Sequence, residues 1–229
     1  MQEITLKSNN NQLFLKVLFL VLMCFSVSLP VLAQSRDDLW VYVRNDQANA
    51  VQALLAQGLD PNTRDSRGNP IIMQAVRDNA WDVFELVMNN RKTDLNIMNG
   101  YQETPLMYVS LVGNLDMAKQ LVSKGAQINH LGWTPLHYAA AKGQLPVVEF
   151  LLSKGALPNA PAPDGTSPIA MAAQAGAIDT VQALLAAGAD PSAINTNGVD
   201  AVQAARDRGH TQLADALQKV VDQRRAKNR

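Results

Sequence analysis

The chain has 229 residues with 20 basic and 20 acidic side chains, so its formal net charge is zero. Such a balance gives no electrostatic reason to bind nucleic acid, whose affinity comes largely from neutralising phosphates. A single cysteine, Cys24, rules out an internal disulfide framework and any cysteine-rich metal centre.

The first predicted element is a leader. Lys7 and Lys16 precede an apolar run from Val17 to Leu29, and Val31-Leu32-Ala33 supplies small residues before Gln34. This is the pattern of a secretory signal peptide over residues 1–33, cleaved after Ala33. An uncleaved anchor is the alternative, since the run approaches the roughly 20 residues that a membrane span needs. Pro30 and the Val-x-Ala ending favour cleavage. Removing Lys7, Lys16 and Glu3 leaves 18 basic and 19 acidic residues, a net charge of −1, and no cysteine at all. A cysteine-free chain suits an oxidising compartment. The expected location is the periplasm, with inner-membrane anchoring or secretion as alternatives.

From residue 34 onward the chain repeats itself, which decides the fold before any single residue does. Copies are read at about 37–62, 67–96, 99–129, 132–159, 165–192 and 198–220, followed by a basic tail over 221–229. The first has a polar opening but ends in Leu54-Leu55-Ala56-Gln57-Gly58-Leu59-Asp60-Pro61-Asn62. The second opens on Pro70-Ile71-Ile72 and the third on Thr104-Pro105-Leu106. The fourth is the clearest, running Thr134-Pro135-Leu136-His137-Tyr138-Ala139-Ala140. Thr134 is a good helix N-cap, and Pro135 falls at N1, where its missing N–H costs nothing. A second helix over Val147–Leu152 follows and stops at Gly155, as a C′ glycine can stop it. Ser167-Pro168-Ile169 opens the fifth copy, 33 residues after Thr134, and the sixth runs through Gly209-His210 to Leu217.

These residues resemble the ankyrin repeat, whose pattern is Thr-Pro-Leu-His, two alanines, a glycine, two valines, two leucines and then Gly-Ala-Asp-x-Asn. The resemblance covers about residues 36–220. It implies an all-α solenoid of about six helix-turn-helix units, two of them caps, with short β-turn fingers. One pair of short helices cannot bury its apolar face alone, so such units stack on their neighbours. The resemblance also implies that His137 bonds the inter-repeat turn and that His210 fills the Gly-His slot between helices. It extends to small exported bacterial ankyrin proteins, some of which are associated with protection against oxidants.

No nucleophile elbow, P-loop, dinucleotide fingerprint or zinc-protease motif is present. Of the three histidines, His130, His137 and His210, none makes a metal-ligand pair; His130 alone lacks a scaffold role. Asp60-Pro61-Asn62 and Asp190-Pro191-Ser192 read as turn formers rather than calcium ligands. The expectation is a non-enzymatic protein with no cofactor and no metal, a monomer that binds a protein partner. Arg224, Arg225, Lys227 and Arg229 read as a solvated helix end, with an anionic membrane or partner contact as the sharper alternative.

Ankyrin arrays usually meet partners on the concave face of finger tips and first helices. The corresponding positions here include Arg67 in the second copy, Tyr101, Glu103, Leu111 and Val112 in the third, Leu131, Trp133 and Lys142 in the fourth, and Asp164 in the fifth. Copies three and four are aromatic and aliphatic there, as a binding hot spot would be. From Asn129 to Thr134 is five residues, whereas Asn159 to Ser167 is eight, so the finger between copies three and four is three residues short. Trp133 therefore has two readings: a hot-spot residue, or a filler that folds with Leu131 over the gap. The functional expectation is a partner-binding module; a membrane-tethered adaptor and a peptide- or small-ligand-binding accessory are the alternatives.

Overall fold

Five of the six units start where a polar side chain, Asp38, Thr104, Thr134, Ser167 or Asp200, meets a short apolar run, and the second starts at Pro70. A computed structural model describes residues 38–227, so the leader, its cleavage site and the acidic-basic start at Arg36 and Asp37 lie outside the described residues. Twelve helices pair along the described chain. They are α1 (Leu39–Arg44) with α2 (Ala48–Ala56), α3 (Ile71–Arg77) with α4 (Trp81–Met88), and α5 (Pro105–Val112) with α6 (Leu115–Ser123). Then come α7 (Pro135–Ala141) with α8 (Leu145–Ser153), α9 (Pro168–Gln174) with α10 (Ile178–Ala186), and α11 (Ala201–Asp207) with α12 (Thr211–Lys227). The expected all-α solenoid of six units holds.

The N-caps are the residues the repeat points to. Thr104, Ser167 and Asp200 accept hydrogen bonds from the third helical amides of α5, α9 and α11, while Pro105, Pro135 and Pro168 occupy N1. Each first helix packs on the first helix of the next unit. Ala139, Ala140, Ala172, Ala173 and Ala205, all fully buried, keep those stacked helices close. The leucines and valines of the second helices, such as Val147, Val148, Leu151 and Leu184, complete one continuous core.

A ladder of four asparagines clamps the first five units together across the loops. Asn62 Nδ2 donates to the Lys92 carbonyl at 2.9 Å and its Oδ1 accepts from the Asp94 amide. Asn129 pairs in the same way with Gly155 and Leu157, and Asn159 with Gly188 and Asp190. Asn96 repeats the pattern with Gly125 and Gln127. Asp60 and Asp190 accept the amides of Asn62 and Ser192, the turn-forming role expected of them. His210 packs over Gly176, where an added Cβ would stand 2.5 to 2.8 Å from its ring atoms. The Gly-His slot thus works by close approach of one unit to the next.

At the C-terminal end the repeat motif fades after Leu217, yet α12 runs 17 residues to Lys227, so the basic cluster is a helix end, as read from the sequence. Val221 is buried, and Arg224 Nη1 donates to the Ala189 carbonyl at 2.7 Å. No glycine or proline follows Gly209, so nothing in the chain stops the helix, and Arg224, Arg225 and Lys227 meet its negative end.

Candidate functional site

The fingers between units set the geometry of the binding positions. In four of them a short hairpin is closed by one backbone bond: Asp65 to Asn69, Asn99 to Glu103, Ala162 to Thr166 and Asn195 to Val199, each near 3 Å. The finger before Thr134 makes no equivalent bond among the described residues, as its missing three residues require. Leu131 at its tip is 97% exposed and fills nothing. Gly132, in the left-handed region at φ +87°, turns the chain there, with Pro163 of the next finger beside it. The filler reading therefore fails for Leu131.

Trp133 takes an intermediate place. Its side chain is half-buried, and its ring meets that of His137 edge to face at 5.3 Å between centroids. His137 is fully buried. Its Nδ1 accepts the Thr134 amide at 3.2 Å, the Thr134 hydroxyl lies 2.9 Å from the same nitrogen, and Nε2 lies 3.0 Å from the Thr166 carbonyl. With Nδ1 accepting, Nε2–H donates to Thr166, so the ring is neutral and ties the fourth unit to the fifth finger. Burial pushes its pKa down to about 4, against the partial support of the Thr166 and Ala160 carbonyls. Met107 fills the same slot one unit earlier, its sulfur accepting the Thr104 amide at 3.3 Å.

Beside Trp133 lies an apolar pocket of about 240 Å³ lined by Leu111, Trp133, His137, Tyr138, Ala141 and Met171. Three units contribute to it: Leu111 from α5, Tyr138 and Ala141 from α7, Met171 from α9. Val112 and Tyr101 are exposed nearby in sequence on α5 and its finger. Tyr138 also reaches the other way, donating its hydroxyl to Glu103 Oε1 at 2.6 Å. Tyr108 and Asn99 Nδ2 donate to Glu103 Oε2 at 3.0 and 2.7 Å. Burial first, and the Glu103 carboxylate second, raise the pKa of both tyrosines, which keeps their hydroxyls protonated as donors.

Of the positions singled out in the sequence, Glu103, Leu111 and Trp133 are brought around Tyr138. Lys142 is the exposed C-cap of α7. Two others serve their own fingers. Asp164 accepts the amide and hydroxyl of Thr166, and Arg67 stands 3.5 Å from Asp65 beside a separate polar pocket lined by Trp40, Arg44 and Gln74. Tyr108, Tyr138 and Met171 escaped the sequence reading. The signal was there for the tyrosines, which occupy the same slot, four residues after Thr104 and Thr134. His130, without a role from sequence, places Nδ1 2.8 Å from the Leu131 carbonyl, and its buried Nε2 has no partner among the described residues.

Among the described residues no three His, Cys, Asp or Glu side chains gather as metal ligands. The arrangement joins an apolar pocket and an anchored carboxylate through one side chain, Tyr138.

The comparisons with known proteins agree on the scaffold. A family model described as ankyrin repeats (3 copies) matches residues 39–131 and 72–162, and a single ankyrin-repeat model matches 164–196. Ankyrin repeat protein OPG189 of Variola virus is 38% identical over 81 residues, covering 34% of this chain and 14% of the viral protein. Alpha-latrocrustotoxin-Lt1a of Latrodectus tredecimguttatus is 30% identical over 90 residues, covering 39% and 6%, and human neurogenic locus notch homolog protein 2 is 31% identical over 86 residues, covering 38% and 4%. The chain thus matches only a small part of each of these larger proteins. Such repeats are generally protein–protein interaction modules. With stacked units, N-caps, inter-unit histidine and family models all in one register, the chain belongs to the ankyrin-repeat family.

Proposed function

We propose that this is an exported, non-enzymatic module that binds a protein partner across the face formed by the fingers and first helices of units three and four. One observation carries the reading: Leu111, Trp133, Tyr138 and Met171 from three successive units meet around an open apolar pocket. A half-buried tryptophan and a tyrosine lining such a pocket are the composition that interaction hot spots favour. Val112 and Leu131, each next in sequence or nearly so to the lining residues Leu111 and Trp133, are also exposed. Stacked ankyrin units supply the rigid support that keeps the pocket open without a partner. Export rests on the leader over residues 1–33, and mass spectrometry of the mature N-terminus tests it: Gln34 as first residue supports cleavage, and an intact Met1 supports the anchor.

Photocrosslinking in living cells tests the binding face. A photoreactive residue in place of Trp133 is expected to capture a defined protein. The same residue in place of Glu149, exposed on the opposite helix α8, is expected to capture none. Equal capture from both positions would remove the proposed face.

A further inference from the structure

Glu103 is held by neutral donors alone. Asn99 Nδ2, the Tyr108 hydroxyl and the Tyr138 hydroxyl satisfy its two oxygens. The ion pairs among the described residues are Arg67 with Asp65 and Lys119 with Asp116, neither of which includes Glu103. Arg77 approaches the Tyr108 hydroxyl from the preceding unit, but it forms no ion pair with the carboxylate. A partly buried carboxylate fixed in one position, its negative charge uncompensated by a contacting cation, is preorganised to receive one.

The second observation is that this carboxylate and the apolar pocket share a side chain. Tyr138 gives its hydroxyl to Glu103 and its ring to the wall of the pocket that holds Leu111 and Trp133. The two subsites are therefore about one tyrosine side chain apart. Side chains on one face of an extended segment recur every second residue, at about 6.6 Å, which is the same scale.

We infer that the face selects a protein segment in which an arginine or lysine lies two residues from a large apolar side chain, the cation meeting Glu103 and the apolar group entering the Trp133 pocket. This rests on the binding face proposed above and names the chemistry of its occupant. Charge complementarity at a partly exposed rim gives modest affinity but real discrimination between partners.

The test uses blocked five-residue peptides with phenylalanine and arginine at their second and fourth positions, in both orders, titrated into the purified protein and followed by amide and indole NMR signals. Matched peptides carry citrulline, a neutral analogue, in place of arginine, or alanine in place of phenylalanine. The arginine peptide in its better order is expected to bind about fivefold more tightly than its citrulline partner, the size of a rim ion pair. In Glu103→Gln that ratio is expected to fall below twofold while the preference for phenylalanine remains. Tyr138→Phe, which keeps the pocket wall but releases one oxygen of the carboxylate, is expected to reduce the ratio in part. Unchanged melting temperatures show that both variants fold. Equal binding of arginine and citrulline peptides, with the Trp133 indole signal still shifting, overturns the cationic subsite and leaves the face. A Trp133 indole that fails to move with any peptide at millimolar concentration overturns both.

Discussion

Acid should unfold this protein earlier than its carboxylates alone would dictate, because of one buried histidine. His137 is fully buried, and burial brings its pKa from 6.5 to about 4. The folded state therefore favours the neutral ring, whereas the unfolded chain takes up a proton near the ordinary value. Stability from this group is complete above pH 6.5 and is lost as the pH falls from 6.5 toward 4. At 1.36 kcal/mol per pKa unit, the loss is about 2 kcal/mol by pH 5 and about 3 kcal/mol below pH 4. That is a large part of the ~5–15 kcal/mol that holds an ordinary domain. Urea titrations at pH 7.5, 6, 5 and 4.5 measure it, with His137→Met as the reference. Methionine is the natural occupant of the same slot at Met107, so the variant keeps apolar volume there while removing the titrating group. It removes one of the two hydrogen bonds to the Thr166 carbonyl, which keeps the one from the Ala162 amide, an offset of about 0.5–1.5 kcal/mol at neutral pH. The stability of the wild type relative to the variant should fall steadily, by about 2–3 kcal/mol from pH 7.5 to 4.5, and change sign on the way. A difference that stays constant across that range would refute the argument, because it would mean that His137 takes up its proton equally in both states.

Four more outcomes follow from the packing. Trp133→Ala should cost about 1–2 kcal/mol by urea denaturation, well short of the ~3–5 of a core aromatic, because the ring is half-buried; Leu131→Ala should stay within ~0.5 kcal/mol. Asn159→Ala removes the bonds to Gly188 and Asp190 and should cost about 1–2 kcal/mol, with hydrogen exchange accelerating in α9–α12 and not in α1–α4; uniform acceleration would argue against a local clamp. Gly176→Ala forces a Cβ against the His210 ring at φ +70° and should lower the thermal midpoint by several degrees, and His210→Ala in the same chain should recover part of the loss.

How much of this could be read from the chain depends on whether a feature is local. The N-caps at Thr104 and Ser167 and the prolines after them are local chemistry, and they start helices where the pattern says. The stacking of alanines and leucines follows from the repeat alone. The repeat motif fades after Leu217, yet fading of a motif does not stop a helix, and Gln218 to Lys227 are mostly strong helix formers. Leu131 looked like a filler because the finger is short; its exposure is decided by the turn at Gly132, a backbone matter that spacing does not show. Glu103 was singled out as one surface residue among several. Its meaning comes from stacking, which brings two tyrosines 30 positions apart onto one carboxylate.

The claim that matters most is that partners bind over the pocket shared by units three, four and five. Ala141→Arg places a long cation into that pocket from the last position of α7, removes no buried contact and keeps a strong helix former there. Calorimetry against the protein captured from position 133 measures its effect, with Glu149→Arg on α8 as the control. The account predicts at least about a hundredfold loss of affinity for Ala141→Arg, the cost of blocking a hot spot, and less than twofold for the control. Wild-type affinity in Ala141→Arg, with the fold intact, would contradict it.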